Sequence, residues 1–292
     1  MVTILTPTYN RAYILPELFQ SLKEQTCKEF KWLIIDDGSS DNTEEVVKDF
    51  QKTADFEVQY IKKQNGGKHT AVNLGVKHVD TVLTFIVDSD DQLLSDAVET
   101  VICYYMKYKD KKKIGIYSFL KCYKDGKNVV EAPKNEWIAN YIDCRIKGGL
   151  PGDMAEVFLT ECLKKYPFAE FDGERFLSED TAWIEISKEY DAIYFNKAIY
   201  QCEYMEDGMT ANDKPIKFKS PKGSMYRGKQ LMYNRCGLKE NVRGAIIYNC
   251  YKLEVKGEIP SKVRPEGLKQ KVLVFLMMPL GHVFHAKWKK SI

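Results

Sequence analysis

The chain has 292 residues, of which 44% are hydrophobic and 29% are charged, which is the composition of an ordinary globular protein. No apolar run reaches the roughly 18 residues of a membrane-spanning helix, and the length allows one large α/β domain with an appendage or two small domains. The formal charge of +3 is unevenly distributed, because residues 214–292 contain 18 basic and 4 acidic side chains, whereas residues 1–213 contain 26 basic and 37 acidic ones.

Short β-like runs alternate with helix-like segments through the first hundred residues. Runs rich in Val, Ile, Leu, Phe and Tyr predict strands at residues 2–6, 31–35, 57–61 and 82–87. Helical spacing of apolar residues predicts helices at residues 14–23, 43–53, 70–78 and 95–109. This alternation predicts an α/β fold whose central sheet is Rossmann-like, mostly parallel and flanked by helices.

The rest of the chain continues with shorter elements. Asp125-Gly126 is a hairpin signal between β-like runs at residues 114–122 and 128–130. Two helices are predicted at residues 160–166 and 180–189, and two short strands at residues 192–195 and 199–204. After residue 213 the sequence becomes helix-prone and rich in Lys and Tyr, which predicts a basic, helical C-terminal region at residues 214–292.

Two of the predicted strands end in clustered carboxylates. One runs into DDGSSD at residues 36–41, and another runs into DSDD at residues 88–91. Open α/β sheets bind ligands at the carboxyl ends of their strands, and Asp-x-Asp supplies the oxygen ligands that hard divalent cations prefer. The pattern predicts a site for a nucleotide and a metal ion. The alternatives are a solvated acidic turn at residues 88–91 and an Asx turn or helix cap, which suits Asp41 better than Asp37.

Two further loops have features of a ligand site. Residues 6–11 (TPTYNR) follow the first strand, where the ring of Tyr9 could stack on a nucleobase, although a simple turn also fits. Residues 65–69 (NGGKH) open the third helix, where glycines allow a ligand to approach the backbone. The helix N-terminus and Lys68 favour a phosphate or an acidic base-binding partner there, although the spacing is not that of a Walker loop.

Together these motifs resemble the inverting, GT-A-fold glycosyltransferases of family 2. The matching segments are residues 6–11, residues 34–43, Asn73 with Gly75, and residues 88–91. The resemblance is strong over residues 1–100 and looser over 101–213. It implies a GT-A catalytic domain at residues 1–213, with nucleotide-sugar binding at 1–100 and the acceptor side and catalytic base at 101–213, followed by the basic helical region at 214–292.

The resemblance also implies a role for individual residues in donor binding. Pro7 and Tyr9 would line the base pocket, and Asp37 would accept a hydrogen bond from uracil N3–H. Asp90 would bind Mn²⁺ or Mg²⁺, which would neutralise charge on the departing diphosphate. The remaining implied donor contacts are Asn65 and Lys68 closing the nucleotide side, Asp88 holding the ribose or the sugar, and Ser89 touching the diphosphate.

Two departures from the family pattern are visible. Many relatives carry Arg immediately before the asparagine that corresponds to Asn73, whereas this chain has Val72, so Lys68 is a candidate for the missing cation. Many relatives also carry a histidine-containing loop that can reach the metal. The comparable residues 203–210 (EYMEDGMT) contain no histidine, which leaves Asp207 as a candidate substitute.

Residues 176–181 (FLSEDT) resemble the family's Glu-Asp motif, whose second acid is the catalytic base. An acid in the first turn of the predicted helix at 180–189 would be kept ionised by the helix dipole, which suits Asp180 as the base. The alternative is that Ser178 and the acids after it cap the helix. Glu179, Gly152 and Asp153 are candidates for the acceptor side, although Gly152-Asp153 fits a structural turn equally well.

The apolar run at residues 272–280 is flanked by lysines on both sides. It is too short to span a bilayer and fits either a segment that lies on an anionic membrane surface or a helix that packs on the catalytic domain. The N-terminus lacks the layout of a signal peptide, so we expect a cytoplasmic protein. If the segment at 272–280 lies on a membrane, the protein would be peripheral on the inner face of the cell membrane.

The sequence therefore predicts an inverting, metal-dependent glycosyltransferase. It would move a hexose or N-acetylhexosamine from a UDP-sugar to a hydroxyl of a surface-glycan acceptor, either a polysaccharide or a lipid-linked oligosaccharide. One alternative is a nucleotidyltransferase of similar fold. The other is a nucleic-acid-binding protein that uses the basic region and its tyrosines, which would leave the N-terminal carboxylates without a purpose, so nucleic acid is not the expected partner.

Overall fold

A mixed β-sheet lies at the centre of the N-terminal part of the chain. The computed structural model describes residues 1–111, 113–202 and 213–292. Within these residues the strands are β1 (Val2–Thr8), β2 (Phe30–Asp36), β3 (Glu57–Lys62), β4 (Leu83–Ile86), β5 (Gln92–Leu93), β6 (Ile114–Cys122), β7 (Trp137–Ala139), β8 (Met154–Leu159) and β9 (Asp191–Gln201). Their order across the sheet is β3-β2-β1-β4-β8-β6-β9-β5, with β7 paired to β9.

Helices connect the first strands and make up most of the C-terminal part. They are α1 (Leu15–Lys23), α2 (Thr43–Thr53), α3 (Lys68–His78), α4 (Ala97–Tyr108), α5 (Thr160–Lys165), α6 (Asp180–Ile186), α7 (Asp213–Lys219), α8 (Pro221–Leu231), α9 (Gly237–Lys252), α10 (Gly267–Leu276) and α11 (Met278–Lys289). The predicted α/β class with a helical C-terminal region is confirmed.

The four N-terminal strands are parallel and end at one edge of the sheet. β1 pairs with β2 and β4, and β2 pairs with β3. Thr8 at the end of β1 lies opposite Asp36 at the end of β2. Every residue of β1 is buried, as expected for a parallel strand covered on both faces. The segments that follow these strands therefore emerge side by side, although β8 is antiparallel to both β4 and β6.

Helices cover both faces of this parallel part. On one face, the Phe19 ring of α1 stacks on Phe50 of α2 at a centroid distance of 4.2 Å and lies 6.1 Å from Trp32 of β2. On the other face, α3 packs tightly on β1, because a Cβ placed on Gly75 would lie 2.3 Å from Cδ1 of Leu5. This close contact fixes α3, and with it the start of the helix at the carboxyl edge of the sheet.

The second half of the sheet differs in detail from the sequence prediction. The strand predicted at residues 192–195 and the first part of the one predicted at 199–204 are one strand, β9, whose pairing with β6 is irregular between Ser118 and Leu120. Residues 203 and 204 of that prediction lie outside the described residues. The polar pair Asn196 and Lys197 lies in that irregular part, which explains why the sequence pattern suggested a break. The predicted hairpin at Asp125-Gly126 is confirmed by an antiparallel bridge between Cys122 and Asn128.

The described residues divide into two compact units. The sheet unit contains Met1–Asn140, Leu150–Pro167 and residues 186–202, and the helical unit contains Tyr141–Gly149, Phe168–Glu185 and residues 213–292. Segments 141–149 and 168–185, which the sequence assigned to the catalytic domain, thus pack with the C-terminal helices. The functional division at residue 214 stays a prediction, since compactness does not show which residues act together.

Glycine and asparagine contacts hold the helical unit together. A Cβ on Gly244 of α9 would lie 2.5 Å from the carbonyl oxygen of Gly228, so α8 and α9 touch backbone to backbone. Asn249 of α9 donates to the Val274 carbonyl of α10 at 2.7 Å. The predicted apolar run at 272–280 is therefore divided between α10 and α11, which pack on α9. None of the described helices combines the length and apolar character needed to cross a membrane.

Candidate functional site

Four loops follow β1, β2, β3 and β4 at the carboxyl edge of the sheet, and we call them the edge loops (residues 9–11, 37–42, 63–67 and 87–91). Asn10 joins the first two. Its N–H donates to Ser39 Oγ at 2.8 Å, and its Oδ1 accepts from the Ser40 N–H at 2.8 Å. Asn10 adopts a φ of 53°, a left-handed conformation that asparagine tolerates. The first edge loop is therefore held in a defined position against the second.

Asp37 joins the second edge loop to the third. Its buried carboxylate accepts from Lys63 Nζ at 2.7 Å and from the N–H groups of Gly66 at 2.9 Å and Gly67 at 2.7 Å. Of these three bonds, the one from Gly67 goes to Oδ2, and each carboxylate oxygen has two lone pairs. The predicted bond to uracil remains a prediction, and the structure adds a loop-closing role that the sequence did not suggest.

The second and third edge loops approach so closely that glycine is required between them. Gly38 has a φ of 85°, and a Cβ there would lie 2.9 Å from the backbone nitrogen of Asn65. Asp41 accepts from the Thr43 N–H at 3.2 Å. This bond, two residues along the chain, forms an Asx turn before α2, whose N-cap residue is Asn42. The Asx-turn role that the sequence favoured for Asp41 over Asp37 is therefore observed.

Lys68 joins α3 to the fourth edge loop. Its Nζ lies 2.5 Å from Oδ1 of Asp88. Burial disfavours the ionised Asp88 carboxylate, but the charges of Lys68, Lys121 and Arg11 outweigh burial and lower the pKa of Asp88. Asp88 is therefore an anion surrounded by cations. It lies next to the start of α3, where the sequence predicts a phosphate group.

Asp90 faces the first edge loop. Arg11 Nη2 lies 3.6 Å from Oδ2 of Asp90. Burial and the neighbouring Asp88 charge raise the pKa of Asp90, although Arg11 opposes that shift. The Arg11–Asp90 pair closes a circuit of contacts. The first loop contacts the second, the second contacts the third, Lys68 of the following helix α3 contacts the fourth, and the fourth contacts the first.

A buried tyrosine organises the carboxylates of the fourth edge loop. Tyr200 Oη accepts from the Asp88 N–H at 3.0 Å and donates to Oδ2 of Asp91 at 2.7 Å. Burial and the Asp88 charge raise the pKa of Asp91 to about 7. Sequence reasoning missed Tyr200, because nothing local connects a β9 residue to a cluster more than a hundred positions earlier.

Lys121 is a second functional candidate that sequence reasoning missed. It lies in the buried strand β6, with Nζ 4.3 Å from the Tyr200 ring centroid and 3.3 Å from Oδ2 of Asp153. Burial opposes its charge, but Asp153, Asp88 and Asp91 together raise the pKa of Lys121. The sequence does contain one signal for Lys121, since this lysine lies within the mostly hydrophobic run at residues 114–122. Lys121 therefore connects Asp153, which was predicted for the acceptor side, to Asp88 and Asp91 of the fourth edge loop, which together with Asp90 we call the acidic cluster.

The other predicted residues of the sheet unit have simpler surroundings. Pro7 is buried within β1 opposite Ile35, whereas Tyr9 is 47% exposed just beyond that strand. Ser89 is buried in the fourth edge loop. Gly152 has a φ of 80°, and a Cβ there would lie 2.8 Å from the Val130 Cβ, which favours the structural-turn interpretation of this glycine.

Val72, where many relatives carry Arg, is buried on α3 beside the buried Asn73. Lys68, the candidate for the missing cation, lies at the start of α3 and pairs with Asp88, and its role towards a nucleotide stays a prediction. Asp207, the candidate substitute for the family's histidine, lies outside the described residues.

The acidic cluster fits a hard divalent cation that takes further ligands from a substrate. Within residues 1–111, 113–202 and 213–292, no three His, Cys, Asp or Glu side chains converge as a ready ligand set. Mg²⁺-type sites commonly use only one or two carboxylates together with substrate phosphates. Asp88, Asp90 and Asp91 supply oxygen atoms alone. Burial, and after it the charge of Asp88, raises the pKa values of Asp90 and Asp91, and a bound cation would offset both effects.

The predicted base lies in the helical unit, at the first position of α6. Arg227 Nε lies 3.0 Å from Oδ1 of Asp180 and 2.8 Å from Oδ2, and Nη2 lies 2.7 Å from Oδ2. Burial opposes ionisation, but Arg227 and the Ser178 hydroxyl lower the pKa of Asp180. Glu179 beside it is exposed. Asp180 is thus an anion at neutral pH, held by a cation that the sequence motif did not reveal.

The N-terminal half of the chain matches a known family model, that of glycosyl transferase family 2, over residues 3–141. Among curated proteins, glycosyltransferase GlyA of Streptococcus pneumoniae serotype 4 is 31% identical over 116 residues, which are 40% of this chain. Those residues correspond to only 16% of GlyA, so the chain spans a small part of that relative.

Two other proteins resemble more of the chain. The GalNAc(5)-diNAcBac-PP-undecaprenol beta-1,3-glucosyltransferase of Campylobacter jejuni is 27% identical over 217 residues, 72% of this chain and 67% of that protein. The crystal structure of S. aureus TarS 1–349 in complex with UDP-GlcNAc has a TM-score of 0.63 at 15% identity, covers 99% of this chain and 92% of TarS 1–349, and shows a shared fold. By its match over residues 3–141, the N-terminal part of the chain belongs to glycosyl transferase family 2.

Proposed function

We propose that this protein is an inverting glycosyltransferase that transfers a hexose or N-acetylhexosamine from a UDP-sugar to a hydroxyl of a surface-glycan acceptor. The observation that carries the proposal is the closed circuit of the edge loops. Asn10 joins the first loop to the second, Asp37 the second to the third, Lys68 the helix after the third to the fourth, and Arg11 the fourth to the first. Such a site at the carboxyl edge of parallel strands is where α/β folds bind nucleotides.

The donor contacts follow the family motifs. In this proposal the exposed ring of Tyr9 stacks on uracil above Pro7, and Asp37 Oδ2 accepts the N3–H. Asn65 and Lys68 close the nucleotide side. The remaining contacts are Asp88 to the ribose or sugar and Ser89 to the diphosphate.

The proposed site also uses a divalent cation, Mn²⁺ or Mg²⁺, with Asp90 as a protein ligand. The bound cation would neutralise charge on the departing diphosphate. The support is the oxygen-only cluster and the raised pKa of Asp90, caused by burial and by Asp88. Arg11 beside Asp90 and Lys68 beside Asp88 would place two further positive charges at the leaving group.

Asp180 takes the proton of the acceptor hydroxyl in this proposal. A base must be ionised at the working pH, and Arg227 lowers the pKa of Asp180 against the effect of burial. Glu179 and Asp153 are assigned to the acceptor side, whereas the left-handed turn at Gly152 gives that residue a structural reason instead. The acceptor class, a polysaccharide or lipid-linked oligosaccharide, is supported by the lipid-linked substrate named for the Campylobacter relative.

We further propose that the protein is cytoplasmic and binds the inner face of the membrane through α10 and α11. These helices expose large apolar side chains, among them Phe275 at 70% and Leu276 at 57%. Exposed lysines at positions 269, 271, 287 and 290 accompany them. Apolar side chains next to lysines fit a surface of anionic lipid headgroups over a hydrocarbon layer.

The rival nucleic-acid interpretation loses part of its support. Of the four tyrosines on which it drew, Tyr248 and Tyr251 are buried and Tyr226 and Tyr233 are half-buried, so they do not form an exposed stacking surface. The nucleotidyltransferase alternative is disfavoured by the family match.

Calorimetric titration of UDP, with and without Mn²⁺, tests the donor site. We expect the wild-type protein to bind UDP more tightly with Mn²⁺, and Asp90→Asn to lose the metal-dependent increment while keeping metal-independent binding. Glu45→Gln, an exposed acid on α2, is the matched control and should behave as wild type. Absence of UDP binding to the wild-type protein under both conditions would overturn the proposal.

A further inference from the structure

The helical unit contains a cavity of about 510 Å³, within the range of small-molecule sites. It is bounded by α7, α8, α9, α11 and the segment just before α6. All these elements belong to the helical unit, so the cavity is distinct from the edge loops of the sheet unit. The family match ends at residue 141, before any of them.

One part of the cavity wall is cationic. Lys214 and Lys217 of α7, Arg227 of α8, and Lys239 and Arg243 of α9 all line it. Among the described residues that line it, none carries a carboxylate. Arg227 and Arg243 have acidic partners, Asp180 at 2.7 Å and Glu240 at 3.2 Å. The five lining cations outnumber these two acids, which fits a multiply charged anion such as a phosphate or diphosphate.

Most of the remaining wall is apolar and aromatic. Its apolar and aromatic side chains are Phe176, Val242, Ile246, Ile247, Tyr251, Phe284 and Trp288, and Ser178, Gly223 and Ser224 complete the wall. A free sugar phosphate is polar throughout and would leave this apolar surface without a matching group. A hydrocarbon chain, in contrast, gains about 25 cal/mol of binding free energy for each Å² of apolar surface that it buries. The two kinds of wall together describe an amphiphile with an anionic head.

Two of the residues that line the cavity also bind the Asp180 carboxylate. Arg227 both lines the cavity and holds the Asp180 carboxylate, and Ser178, another lining residue, interacts with the same carboxylate. Lys217 is close enough for its charge to act on Asp180 as well. A molecule seated in the cavity would thus place its attached groups beside the proposed base.

We propose that this cavity binds the acceptor by a phosphate or diphosphate group and the adjoining hydrocarbon chain, so that the acceptor is a glycan linked through phosphate to a lipid. The inference rests on the proposed function and narrows its acceptor from surface glycans in general to phosphate-linked lipids. Lys239 and Arg243 bind the phosphate, α9 and α11 enclose the start of the chain, and the sugar extends towards Asp180.

Calorimetric titration of the full chain with geranylgeranyl diphosphate tests the cavity, with inorganic diphosphate as the head-only probe and geranylgeraniol as the chain-only probe. We expect the complete amphiphile to bind at least tenfold more tightly than either fragment. The double variant Lys239→Glu/Arg243→Glu should weaken its binding at least tenfold. Lys252→Glu, an exposed charge reversal at the other end of α9, is the matched control and should leave binding unchanged.

UDP titration of the same variants separates this inference from the proposed function. If wild-type protein binds UDP but not geranylgeranyl diphosphate, or binds inorganic diphosphate equally well, the cavity inference is wrong and the donor site stands. Vesicles of phosphatidylglycerol distinguish a phospholipid occupant. If the double variant weakens vesicle binding and leaves geranylgeranyl diphosphate binding intact, the cavity serves phospholipid and the inference is overturned.

Discussion

Arg227 holds the Asp180 carboxylate through both oxygens, with Nε 3.0 Å from Oδ1 and 2.8 Å from Oδ2. Nη2 of the same guanidinium lies 2.7 Å from Oδ2. The pair is mostly buried, so its charges are weakly screened by solvent. It keeps a carboxylate ionised at a position where burial alone would favour the protonated form. An arginine on α8 thus sets the protonation state of the residue that we assign as the base.

Replacing Asp180 by Asn should remove transfer and preserve donor binding. The amide keeps the shape of the side chain but cannot accept a proton, and general-base catalysis contributes about 10²–10⁴-fold to rates. We expect sugar transfer to fall by that factor while the UDP dissociation constant stays within about twofold. Glu179→Gln, which changes the exposed neighbouring acid, should reduce transfer far less. Comparable transfer by Asp180→Asn and wild type would exclude Asp180 as the base.

Replacing Arg227 by Gln should move the acid limb of the pH–rate profile upwards. Arg227 lowers the pKa of Asp180, so its removal raises that pKa and protonates the base at a higher pH. The loss of rate should therefore be larger at pH 6 than at pH 8. Arg235→Gln removes a similar but exposed pair with Asp143 in the same unit and should leave the profile unchanged. An equal loss at every pH would contradict a role through Asp180.

The same variant should also lose stability in a pH-dependent way. The native pKa of Asp180 lies below its unfolded value, so the stabilisation is present above the unfolded pKa and disappears as the pH falls through the native one. Breaking this mostly buried pair should cost about 1–3 kcal/mol near pH 7. Thermal unfolding at pH 7 and at about pH 2, which lies below the unfolded pKa of an aspartate, measures the difference. A midpoint shift that is equal at both values would rule out this linkage.

Much of the edge site could be predicted from sequence, because its signals are local. Asp37, Asp88 and Asp90 each follow a buried apolar run, and such runs read directly as parallel strands. The supporting residues could not be predicted in the same way. Tyr200 meets Asp91 across more than a hundred residues, and Arg227 meets Asp180 across 47, so only tertiary packing brings them together.

One strand that was not predicted, β8, and the strand that was predicted as two, β9, have a related cause. β8 carries Glu156 in its centre, opposite Ser118 of β6, which interrupts the apolar pattern that identifies a strand. β9 carries Asn196, whose side chain bonds to Ala132 in place of a regular ladder. A polar residue whose hydrogen-bond partners are distant in the sequence interrupts the hydrophobic pattern, so the sequence alone suggests that the strand ends there.

Replacing Phe275 and Leu276 by Ser should weaken binding to anionic vesicles. Both side chains are exposed on α10, so their removal costs little folding energy, whereas each would contribute about 1.5–3 kcal/mol on insertion into a bilayer. Flotation with phosphatidylglycerol vesicles should show at least a tenfold loss of affinity, and high salt should weaken the wild-type interaction as well. Leu238→Ser, at an equally exposed position on α9, should retain wild-type binding. Unchanged flotation of the double variant would remove the membrane proposal.

Replacing Gly152 by Ala should destabilise the protein more than the same change at Gly126. Both glycines have a left-handed φ, 80° and 82°, so both variants strain the backbone by about 1–2 kcal/mol. Only at Gly152 does the new Cβ also meet another atom, the Val130 Cβ at 2.8 Å, whereas nothing lies within 4 Å of a Cβ at Gly126. Overpacking of this kind costs a further 1–3 kcal/mol, roughly. The difference in thermal unfolding midpoint between the two variants therefore measures the cost of the steric clash with Val130. Equal midpoints would mean that the turn at Gly152 relaxes without cost and that this glycine has another role.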